Sequence, residues 1–191
     1  MQAIPQGRRP SLSAQRGLTL IELLIALAIS GILIAGAYYG YQAVNGAKGQ
    51  NDASLLTQAA QCARNLYANS PDFTGVNISS LAASQCFPVG NVSGSPGSQT
   101  VKDSNGYVVT AAPATLSTTN DSVSFTLGSV PATLCAQVLP ALAPAASQLT
   151  AGSAGNGAAT AVVAYGGGYQ AGQVGVACAP GLDDIIFTVT K

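Results

Sequence analysis

A chain of 191 residues is long enough for one domain, or for one domain and an anchor. Charged residues make up only 7% of it, against about 25% in soluble domains, and Ser, Thr, Gly and Ala stand in their place, which argues against a cytosolic enzyme surface. The absence of histidine excludes Ser-His-Asp and Cys-His catalysis and removes the commonest zinc ligand.

The seven basic and seven acidic groups are unevenly placed. Arg8, Arg9 and Arg16 precede an apolar run, leaving four basic groups against seven acidic ones in the remainder. A domain at minus three offers no basic face to a phosphate backbone, so no direct nucleic-acid binding is expected. The run itself extends from Leu18 to Tyr39, 22 residues with a single charge at Glu22. As a helix it crosses about 30 Å of hydrocarbon. With the arginines before it and only Lys48 soon after, the N-terminus is expected in the cytoplasm and the bulk of the chain outside.

Three readings compete for this run. A cleaved signal peptide accounts for "AGA" at Ala35 to Ala37, but the run exceeds the usual apolar core of about 7–15 residues. A plain anchor accounts for length and orientation and leaves Glu22 unexplained, since an ionisable group inside a span requires a reason. The third rests on the whole motif: "RGLTLIELLIALAISGILIAGA" resembles the N-terminus of type IV prepilins. The resemblance implies that residues 1–17 are a basic leader, removed between Gly17 and Leu18 by a prepilin peptidase that also methylates the new Leu18 amine. It implies that residues 18–39 serve as transmembrane and later filament-core helix. Glu22, fifth in the mature chain, matches the family's glutamate and is thereby assigned to subunit docking. A leader of 17 residues and Leu in place of Phe after the cut resemble the type IVb class, which includes toxin-coregulated, bundle-forming and thin conjugative pilins. The motif covers roughly the first 40 residues; beyond them only cysteine placement and element order resemble that class.

Helical spacing continues past the apolar run. Leu55, Leu56, Ala59, Cys62, Ala63, Leu66 and Tyr67 form one stripe, with Asp52, Gln58, Gln61 and Arg64 mainly elsewhere, so residues 40–69 read as the amphipathic half of one helix. Pro71 in "ANSPD" ends it. Gly31, Gly36, Gly40, Gly46 and Gly49 each cost up to about 1 kcal/mol in a helix and mark either close packing, a stretch that unwinds on assembly, or a tolerated bend. Tyr38, Tyr39 and Tyr41 fit an aromatic belt at the membrane interface.

Residues 70–191 read as an extracytoplasmic α+β head. Residues 70–100, with "SGSPGSQ" inside, are expected as a loop tied down at Cys86. "GYVVTAA" after the Asn105-Gly106 turn signal and the alternating "SVSFTL" are expected strands. "PATLCAQVLPAL" reads as a helix of about two turns, "APAASQLTAGSAGNGA" as a linker, and "TAVVAY", "QVGVACA" and "DDIIFTVT" as three further strands. The fold class is therefore α+β, a long N-terminal helix packed on an antiparallel sheet, and the resemblance makes it the type IV pilin fold.

Cys62, Cys86, Cys135 and Cys178 lack any CxxC pair; beside an export segment they read as two disulfides, with four buried thiols as the other reading. Cys62, on the inward stripe, and Cys86, in the next loop, are assigned to one bridge. Cys135–Cys178 resembles the C-terminal bridge of type IVb pilins. "AYGGGYQAG" lacks the GxxxxGK[ST] pattern of a phosphate loop. Asp183-Asp184 reads as a solvated edge rather than a calcium site. No nucleophile has a credible base, so neither enzyme activity, cofactor nor metal is expected.

The resemblance implies a major pilin precursor that polymerises from the inner membrane into a type IVb pilus for adhesion, aggregation or conjugation. Its implied partners are copies of itself, the prepilin peptidase/methyltransferase, an assembly ATPase with its inner-membrane platform, and an outer-membrane secretin. A minor pilin or type II secretion pseudopilin is the nearest rival; a monomeric membrane-anchored binding protein or enzyme is the remote one.

Overall fold

The structure, a computed structural model, describes residues 20–154, 159–178 and 181–191. Gly17 and Leu18 lie outside the described residues, as do the leader and residues 155–158 of the expected linker. The chain divides into two compact units, Met1–Tyr41 and Gln42–Lys191. Helix α1 spans Leu20–Leu66, and its residues fall in both units. It stops close to the expected end: Tyr67 N donates to the Ala63 carbonyl at 3.0 Å, and a turn follows before Pro71.

In the second unit α1 buries a stripe of mostly small side chains, Ala53, Leu56, Ala59, Ala60 and Ala63. Alanine both favours helix and lets a helix approach its neighbours closely. Gly49 carries that logic furthest: a Cβ there would lie 3.0 Å from Gln137 Cβ. Asp52 departs from expectation. The helical period puts it mainly off the apolar stripe, yet it is buried.

The expected loop at 70–100 is partly ordered into short elements. Asn77 caps helix α2 (Ile78–Ala83) through a capping box with Ser80. Strands β1 (Val92–Ser93) and β2 (Thr100–Lys102) follow. The Asn105-Gly106 turn, with Gly106 at φ +91°, leads into β3 (Val108–Ala114) and β4 (Ser122–Pro131). Helix α3 (Ala132–Leu142) is longer than two turns and keeps Pro140 in its last turn.

Two expectations fail here. The supposed linker contains β5 (Gln148–Ser153), whose Leu149 and Ala151 are fully buried because β5 pairs along β7 (Leu182–Thr190). Conversely "QVGVACA" is not a strand: it forms a 3-10 turn and the short helix α4 (Val174–Ala177) after β6 (Thr160–Val163). Apolar alternation alone did not distinguish a strand from a turn of helix with one buried side.

Among the described residues seven strands form one antiparallel sheet in the order β1-β2-β3-β4-β7-β5-β6. The last strand is thus central, between β4 and β5. Alternation sends Val123, Phe125 and Leu127 of β4 and Ile185, Phe187 and Val189 of β7 inward, with Phe125 opposite Phe187. These residues, the α1 stripe and Leu134, Val138, Leu139 and Leu142 of α3 make one hydrophobic core. Disulfides join Cys62 to Cys86 and Cys135 to Cys178, at Cα separations of 5.4 and 5.7 Å.

Candidate functional site

The first unit offers a helix that is apolar all round. From Leu20 to Ile34 its Leu and Ile side chains are between 52% and 78% exposed. A helix with no polar face has no place in water, and α1 is long and apolar enough to cross a membrane. Its only hydroxyl there, on Ser30, is turned back onto the Ala26 carbonyl, which removes a polar group from the lateral surface. Glu22 stands in the first turn, where the positive end of the helix dipole favours a carboxylate. The expected cleavage junction, Gly17-Leu18, lies outside the described residues.

In the head the predicted site residues fall at two stations. Cys62 and Cys86 tie α1 to the segment after α2; Cys135 and Cys178 tie α3 to the end of α4. Asp183 belongs to the second station, contrary to its expected place on a solvated edge. It occupies an inward position of β7, is 1% exposed, and both its carboxylate oxygens are buried without a hydrogen-bond partner. Burial, and then the neighbouring Asp184, raise its pKa. Asp183 and the sulfurs of Cys135 and Cys178 lie within 4.8 Å of one another. Both sulfurs are committed to a disulfide, so they offer no thiolate to a metal. Asp184 points the other way and accepts from Ser129 N at 2.9 Å, at the bulge in β4.

Asp52 and Asp103, which sequence reasoning did not bring together, meet between α1 and the β2–β3 turn. Asn105 Nδ2 donates to Asp52 Oδ2 at 2.9 Å, and Ser104 Oγ to Oδ1 at 3.4 Å. Burial, and next the Asp103 charge, push the Asp52 carboxyl up to about 7. The available signal was the run Asp103-Ser104-Asn105-Gly106, oxygen-rich and turn-forming; nothing in it points to Asp52.

Comparison with known proteins completes the picture. Residues 12–38 match the family model described as the prokaryotic N-terminal methylation motif. Residues 46–190 match the family model described as PilS N terminal. The fold is similar to the crystal structure of a type IVb pilin from Salmonella typhi, with a TM-score of 0.52 and 18% identity, over 74% of this chain and 97% of that one. No curated protein matches the chain significantly. The apolar helix behind a methylation motif places the chain in the inner membrane before assembly and in an extracellular pilus afterwards. With most of its length matched by one family model and its N-terminus by the other, the chain belongs to the PilS N-terminal family and is a type IVb prepilin.

Proposed function

We propose that this chain is the precursor of the major subunit of a type IVb pilus. One observation carries the reading: a helix exposed and apolar on every side from Leu20 to Ile34, broken by the single carboxylate of Glu22. Such a surface is at home in lipid, and equally among copies of itself in a fibre core. In this reading residues 1–17 are the leader and 18–39 the membrane and filament-core segment. Residues 40–69 form the amphipathic half-helix, and 70–191 the head. Prepilin peptidase cuts between Gly17 and Leu18 and methylates Leu18. The new amine then faces Glu22 of a neighbouring subunit. In a low-dielectric core an isolated carboxylate is strongly penalised, whereas one opposite an ammonium is largely compensated. The pair selects axial register more than it adds stability. An assembly ATPase with its membrane platform and an outer-membrane secretin complete the partners. Family and fold are those of a structural pilin, and no enzymatic role is proposed.

Mass spectrometry of fibres sheared from cells tests this in one measurement. The chain should dominate the preparation and begin at methylated Leu18. Its presence only in trace amounts would make it a minor pilin or pseudopilin. A mature N-terminus after Ala37 would make the run an ordinary signal peptide.

A further inference from the structure

Two carboxylates supplied by distant parts of the chain are buried together in the head. Asp52 is 1% exposed and Asp103 is 5% exposed. Asp103 Oδ1 accepts from the backbone N–H groups of Asn105 and Tyr107 at 2.9 and 2.7 Å. Its other oxygen, Oδ2, is buried and has no partner. Asp103 lies beside Asp52, and its charge acts on the Asp52 carboxyl. Among the described residues no basic side chain offsets the Asp52 charge. Lys48, one turn earlier on α1, and Lys102, beside Asp103, are both exposed. Burial, Asp103, Asn105 and Ser104 are what act on Asp52.

Charge counting narrows what belongs here. With both groups ionised, two negative charges are buried; one shared proton still leaves one. A divalent cation cancels both and takes up the unpartnered oxygen. We propose that Asp52 Oδ1 and Oδ2, Asp103 Oδ2 and Ser104 Oγ form a site for a hard divalent cation, calcium, which pins the β2–β3 turn to α1. Every donor is oxygen, which disfavours zinc. The remaining positions fall to water: a cavity of about 200 Å³ is lined by Asp52 and Ser104, together with Asn51, Gln58 and Asn91. Calcium accepts such an irregular, partly hydrated shell of six to eight oxygens, whereas magnesium demands near-ideal octahedral geometry. Two carboxylates place the affinity in the range of extracellular calcium modules, about 0.1–1 mM.

The test uses the full processed chain in detergent, stripped of metal with EDTA, then titrated with calcium chloride at pH about 7.5 by calorimetry and thermal melting. One calcium per chain is expected, with a melting temperature that rises by several degrees at about 10 mM calcium. Magnesium should bind at least about tenfold more weakly. Asp52→Asn and Asp103→Asn should abolish binding. Ser104→Ala, which keeps both carboxylates and the turn, should weaken it by roughly threefold or more even if the aspartate variants misfold. No calcium-linked shift in the wild type at about 10 mM would overturn the site in favour of a shared proton. An undiminished shift in a folded Asp52→Asn variant would place calcium elsewhere and overturn it equally.

Discussion

Asp52 shows how a single buried group writes itself into the stability of the head. Its carboxyl is raised from 3.8 to about 7, chiefly by burial and then by Asp103. Between those values the unfolded chain loses the proton while the folded chain keeps it, so folding takes up a proton and stability falls as pH rises. The loss begins near the unfolded value and levels off above about 7. We predict that, in calcium-free buffer, the denaturation midpoint of the wild type falls between pH about 5 and about 8, and that Asp52→Asn removes much of that slope. Asp183, also raised, contributes in the same direction and is left unchanged by this substitution. An Asp52→Asn variant with the full wild-type slope would show that the carboxyl ionises freely in the folded head. Asp121 behaves oppositely: backbone N–H groups of Leu116, Ser117 and Thr118 donate to it and hold it below the ordinary carboxylate range.

At the scale of elements, close packing and cross-links divide the work. The five helix glycines are not equivalent. Around Gly31, Gly36 and Gly40 an added Cβ meets nothing within 4 Å, whereas at Gly49 it meets Gln137 Cβ at 3.0 Å and the backbone of Gln137 and Val138 at 3.4 Å. Gly49 therefore sets how closely α1 approaches α3. Gly49→Val is expected to destabilise the head by about 1–3 kcal/mol, while Gly36→Val should leave its melting temperature unchanged. Equal melting of the two variants would show that α1 can shift away from α3 without loss. For the bridges, chain-entropy estimates give about 4 kcal/mol for the Cys135–Cys178 loop, of separation 43, and about 3.5 kcal/mol for Cys62–Cys86, of separation 24. Paired Cys→Ser replacements should each lower stability by several kcal/mol, the 135/178 pair by somewhat more. Urea titrations of the two double variants check the order. The 135/178 bridge also secures α4, a single turn of helix that contributes little to the core besides Ala177.

The segment of α1 from Leu20 to Ile34 has no polar face, and the proposed role of the molecule as a whole depends on burying that segment twice. Lipid covers it first; neighbouring subunits cover it later. In the first setting Glu22 carries a cost of insertion. Near one end of the span its insertion cost lies below the ~2.5–3.5 kcal/mol of a charge at mid-membrane, yet the cost is still unfavourable. Glu22→Ala is therefore expected to leave membrane insertion and cleavage after Gly17 intact while reducing fibres by at least about tenfold, as expected when a buried charge loses its partner. Glu22→Gln should be nearly as damaging, because it keeps shape and hydrogen bonding but not charge. Sheared-fibre yield, normalised to processed subunit in the membrane, is the readout. Normal yield from the alanine variant would show that Glu22 is not a docking charge.

What could be read from the chain alone was local. The apolar run and its one carboxylate announce themselves within a few residues, and the helical period of Leu55, Leu56, Ala59 and Ala63 persists without help from elsewhere. Strands β3, β4 and β7 were legible because alternation in "SVSFTL" and "DDIIFTVT" reports one buried face. Read strictly, that same alternation puts Asp183 in phase with Ile185, Phe187 and Val189, so its burial was already implied. Tertiary structure decided the rest. Leu149 and Ala151 look like linker until β7 lies beside them, for burial there comes from a strand more than 30 residues away. Asp52 looks like a solvent residue until the β2–β3 turn closes over it, and no local pattern encodes a neighbour 51 positions distant. Short-range periodicity records which side of an element is apolar; only the folded chain determines what that side, or the opposite one, comes to face.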